Sequence, residues 1–97
     1  MDFLKNYNIT SDDITIIKNN NYENVINTII YNKENVCEVI EYFLSIGIEL
    51  STLTQMLADR LDLFICSKDE ISKRFEKFNI DNLITIINDD IANLKFL

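Results

Sequence analysis

Proline is absent from this chain and glycine occurs once, at Gly47, so nearly every change of direction must be made by ordinary residues. Tight β-hairpins favour pairs such as Asn-Gly, whose residues accept positive φ, and no such pair is present. Loops that cradle phosphates need several glycines, which excludes the common nucleotide-binding fingerprints. The economical solution is a series of short helices that start at side-chain caps and stop where their apolar periodicity ends.

The apolar spacing agrees. Val36, Val39, Ile40, Phe43 and Leu44 recur at three and four, leaving Glu34, Glu38 and Glu41 on the other side of a helix. Gly47 follows Ile46 at the end of that pattern, where a left-handed residue commonly closes a helix. Ser51 is read as the next cap, ahead of Leu53, Met56, Leu57 and Leu61. Thr10 or Ser11 opens "TSDDITIIKN", with Ile14, Ile16 and Ile17 inward. "NYENVINTIIYN" carries Tyr22, Val25, Ile26, Ile29 and Ile30 at helical spacing. Ser67 with Glu70 reads as a capping box before Ile71, Phe75 and Phe78. Asp81 starts a helix with Leu83, Ile84, Ile86 and Ile87 inward. The β-branched runs 14–17 and 84–87 could pass for strands, but caps precede them and no hairpin turn follows. The expected fold is all-α, with six or seven short helices in stacked hairpins, either solenoid-like or an irregular bundle, forming one domain over 1–97.

Composition limits the function classes. There are thirteen Asn and seventeen Ile but no His or Trp in 97 residues, a skew that AT-rich coding favours, so Asn19-Asn20-Asn21 is not read as chemistry. A hydrophobic fraction of 47% at this length supports a core without metals or disulfides. The net charge of −7 opposes binding to phosphate backbones and anionic membranes and favours a basic protein partner. Cys37 and Cys66 lack the companions of a zinc site and read as reduced thiols used as small hydrophobes, with a mutual disulfide as the other option. The opening "MDFLKNYNIT" has no signal-peptide pattern, and no apolar run approaches the roughly 20 residues that span a bilayer. A cytoplasmic protein is expected.

A loose repeat is visible. Ile9, Ile48 and Ile80 each precede a capping residue (Ser11, Ser51, Asp81), and the apolar pairs Ile16-Ile17, Met56-Leu57 and Ile86-Ile87 follow. Repeats of this size imply stacked helical hairpins. From Val39 to Ile87 the chain resembles the repeat of mitochondrial transcription termination factor proteins, with Phe43, Leu44, Gly47, Ile48, Leu53, Met56, Leu57, Leu63, Phe64 and Ser67 in matching places. The resemblance implies helical repeats that bind double-stranded nucleic acid through a basic groove. The chain departs from that pattern in carrying Asp62 where the family usually has proline and Asn79 in place of a second glycine.

Three sets of residues are candidates for function. Glu34, Glu38 and Glu41, extended by Glu49, form an acidic stripe suited to a basic protein partner. Like charges at this spacing repel by about 0.2–0.5 kcal/mol per pair, so the helix gains nothing from them. Arg60, Lys68, Lys73, Arg74 and Lys77 form a mixed basic face, where nucleic acid would bind if the resemblance extends to function. The carboxylate pairs Asp12-Asp13 and Asp89-Asp90 stand at helix ends, where acids usually face solvent or complement the dipole. Without histidine, a metal site or a catalytic base is not expected. The sequence therefore predicts a non-catalytic inhibitor, immunity or adaptor protein without cofactors, monomeric or homodimeric. The terminal Phe96 and Leu97 are expected to cap the last helical layer, with self-association through them as the rival reading.

Overall fold

A computed structural model describes residues 1–96, with side chains followed through Leu94. The element order is a 3₁₀ segment (Asp2–Tyr7), α1 (Ser11–Asn20), α2 (Glu23–Tyr31), α3 (Lys33–Ser45) and α4 (Leu50–Asp59). A second 3₁₀ segment (Leu61–Phe64), α5 (Lys68–Phe75), α6 (Ile80–Asp89) and a third 3₁₀ segment (Ile91–Phe96) complete the chain. Strands are absent among the described residues, and both β-branched runs are helical.

The helices pack as an irregular bundle. α3 lies centrally, against α2, α4, α5 and the second 3₁₀ segment, while α1 packs on α4 across more than a third of the sequence. The third 3₁₀ segment returns to α6 and α4. One apolar cluster runs through every element that packs here. Within it Phe43 stacks edge-on to Phe64 at 5.5 Å between ring centroids and lies 5.6 Å from Phe75. Such ring pairs add about 0.5–1.5 kcal/mol each beyond the area they bury. The folded surface of 5845 Å² is close to the roughly 5,800 Å² expected of a monomer this size.

The Gly47 corner follows from the backbone. Gly47 has φ 106°, its N–H donates to the Leu44 carbonyl at 3.3 Å, and the Ile48 N–H donates to Phe43 at 3.0 Å. This is the Schellman arrangement, sealed by burial of both Phe43 and Ile48. Thr10 caps α1 with a full capping box, its hydroxyl accepting from the Asp13 N–H and its own N–H donating to the Asp13 carboxylate. Ser67 caps α5 by accepting from the Glu70 N–H at 3.2 Å; the reciprocal Glu70 bond is not formed.

Several expected details differ. α4 starts before Ser51, at Leu50 with Glu49 as its extended cap, because Asn88 accepts from the Glu49 N–H and fixes the entry there. α6 starts before Asp81, at Ile80, since Asn79 is itself a capping residue whose side chain accepts from the Asn82 N–H. Asn79 is accordingly extended, at φ −70°, and no substitute for glycine; the left-handed asparagine is Asn8, at φ 65°. Ile16, Ile30 and Ile86 point outward, with 52%, 42% and 48% of their surface exposed, because successive residues turn by about 100° and a single face cannot hold them all. Tyr22 is an exposed cap position, and Phe78 leaves the core just beyond α5. Cys37 and Cys66 are free thiols at half-buried positions.

Candidate functional site

α3 supplies the acidic stripe through its own amphipathicity. Val36, Val39, Ile40 and Phe43 are fully buried, which forces Glu34, Glu38 and Glu41 to the outside one turn apart. Between this face and the start of α5 runs an open groove of about 530 Å³, walled by Glu38, Glu41, Tyr42 and Ser45 on one side and Ser67, Lys68 and Asp69 on the other. The two helices are drawn together below it by Phe75, whose ring meets Tyr42 edge-on at 6.3 Å.

The groove is negatively biased. Among the described residues the ion pairs are Lys5–Asp2 at 3.9 Å and Arg60–Asp62 at 3.2 Å, so no cation is paired with Glu34, Glu38 or Glu41. Lys68 lines the same groove without closing on either glutamate. Glu41 accepts a hydrogen bond from the Tyr7 phenol at 3.3 Å. Burial first, then the neighbouring Cys37 thiol and the Glu41 carboxylate, hold that phenol well above the ordinary tyrosine value.

The predicted acidic set is only partly assembled. Glu38 and Glu41 share the groove, whereas Glu34 borders a smaller depression beside Ile30 and Tyr31. Glu49 stands apart, capping α4 beside Thr85 and Asp89 of α6. The basic set also divides. The Arg60 guanidinium donates to Asp62 and, at 3.1 Å, to the Leu94 carbonyl, binding the chain's last described turn to α4. Lys68 belongs to the acidic groove. Lys73 and Arg74 lie in the last turn of α5, where cations complement the helix dipole, and Lys77 follows it. Of the acid pairs, Asp12 and Asp13 occupy the first turn of α1, and Asp90 accepts from the Ala92 N–H to start the final 3₁₀ segment. Phe96 and Leu97 lie outside the residues whose side chains are described.

Tyr42, Ser45 and Ser67 were missed as groove residues. Tyr42 falls between the buried and charged arcs of α3, and that borderline register was the only signal in the sequence. Among the described residues no three His, Cys, Asp or Glu side chains are grouped to hold a metal ion, and no helix is long and apolar enough to cross a membrane. No family model, curated protein or solved structure matches the chain.

Proposed function

We propose that the protein is a non-catalytic, acidic protein-binding module of the inhibitor, immunity or adaptor type, working in the cytoplasm and using the α3 face against a basic partner. The observation that carries this reading is the unneutralised Glu38–Glu41 edge beside Tyr42. Both carboxylates are exposed, no cation among the described residues is paired with them, and Tyr42 lines the same groove wall beside them. A lysine or arginine entering there gains two carboxylate acceptors and a ring face. The chain's net charge of −7 would steer such a partner toward it.

Charge reversal tests this. Immobilised wild-type chain should retain a basic host protein that the E38K/E41K double variant does not, with both chains giving the same helical circular dichroism. Equal retention by the two chains removes the proposal. The rival reading, a nucleic-acid-binding helical repeat resembling the transcription termination factors, would act through Lys68, Lys73, Arg74 and Lys77, with Arg60 largely committed within the fold. It predicts duplex DNA binding that weakens steeply with added salt, whereas the favoured reading predicts none even at low salt.

A further inference from the structure

α1 and α4 pack side by side, and their buried residues, Ile14 and Ile17 on one and Leu53, Met56 and Leu57 on the other, complete the core without Ile16 or Leu50. Those two remain 52% and 37% exposed in a groove of about 600 Å³ that runs between the helices. Helix stability does not explain Ile16, since a β-branched residue on a solvated helical face is a mediocre helix former. Asp13 and Asp59 border the groove, and no lysine or arginine lines it. Asp13 gives one carboxylate oxygen to the Thr10 N–H. Among the described residues, the side-chain amides of Asn20 and Gln55 are without hydrogen bonds inside the protein and can serve an occupant.

We propose that the α1–α4 groove is a second docking site, independent of the α3 face, and that it takes an amphipathic basic helix from a partner protein. The apolar strip requires an apolar stripe opposite it, and the acidic margins require flanking cations. A second copy of the chain meets the first requirement but not the second, because it brings its own −7 charge and its own acidic margins. α1 has 10 residues and is therefore about 15 Å long, which matches roughly three turns of a bound helix.

The test uses the full chain, isotopically labelled, and a synthetic lysine–leucine peptide of about 14 residues whose leucines form one helical stripe. Amide shifts should move at Ile16, Asn20, Leu50 and Gln55. The same peptide with its leucines shuffled should bind about tenfold more weakly. The decisive variant is Ile16→Asp, at an exposed position where folding is expected to persist and is checked by circular dichroism. Docking in the groove predicts about tenfold weaker binding, while bare charge attraction predicts tighter binding, because the variant adds an acid. Glu38→Gln/Glu41→Gln should leave the groove shifts in place, which separates failure here from failure at α3. Shifts confined to α3, equal binding of the shuffled peptide, tighter or unchanged binding of Ile16→Asp, or a dimer of the free chain that Ile16→Asp dissolves would each overturn the proposal.

Discussion

Asparagine does more at single positions than its abundance suggests. The Asn88 amide donates to the Gly47 carbonyl and its oxygen accepts from the Glu49 N–H, both at 2.9 Å. Asn35 donates to the carbonyls of Phe64 and Cys66, and Asn21 to those of Ile17 and Ala58. Each satisfies backbone groups that a chain without proline and with one glycine leaves open at its corners. In the sequence Asn21 is set aside with Asn19 and Asn20 as compositional bias and Asn35 and Asn88 carry no reading, because a side chain reaching a backbone 37 or 41 residues away leaves no local pattern. Gly47 was legible, since helix-end chemistry is local. Gly47→Ala should cost about 1–2 kcal/mol in chemical denaturation, because a Cβ disfavours left-handed backbone. The added carbon itself would meet Ile84 at an ordinary 3.4 Å, so the loss should come from the backbone and leave the fold unchanged.

At the scale of elements, every α-helix was visible in the sequence, while the starts of two were displaced, Leu61 falls in a 3₁₀ segment beyond α4, and the 3₁₀ segments were not read. Ser51 and Asp81 are good capping residues that the structure does not use as caps, because Glu49 is held from α6 and Asn79 caps two residues earlier. Propensity ranks possible starts, and tertiary contact chooses among them. Removing the cap oxygen in Asn79→Ala should therefore destabilise the protein by about 1 kcal/mol, whereas Ser51→Ala should fall within about 0.5 kcal/mol of wild type. Paired thermal melts measure the difference, and the opposite ranking would restore the starts read from sequence. The acidic groove was half legible on the same grounds. The α3 stripe follows from periodicity, but its facing wall, Ser67, Lys68 and Asp69, depends on how α5 docks.

For the whole molecule, the all-α class followed from the missing turn residues, and the irregular bundle was one of the two arrangements expected, but the pairing of faces within it was not legible. Beside the neighbour contacts α2–α3 and α3–α4, α1 packs on α4 and α3 on α5. Which apolar faces meet depends on shape and volume, and the abundance of isoleucine makes those faces nearly interchangeable in sequence. One contact tying the start of the chain to α3 can be read globally by pH. The folded chain holds the Tyr7 proton more tightly than the unfolded chain does, so the associated stability is complete below the ordinary tyrosine value of about 10. It is lost progressively as pH rises above that value. Tyr7→Phe should therefore show a shallower loss of stability in alkaline denaturation, and an unchanged slope would remove Tyr7 as its source.

Asn88 ties the corner at Gly47 to a residue 41 positions further on. During synthesis the turn after α3 thus emerges long before the side chain that fastens it. A nascent chain halted ahead of position 88 would carry the corner unfastened, and fraying of α6 in the mature protein would release the same turn. The middle of the chain and its last helix should exchange their amide protons together.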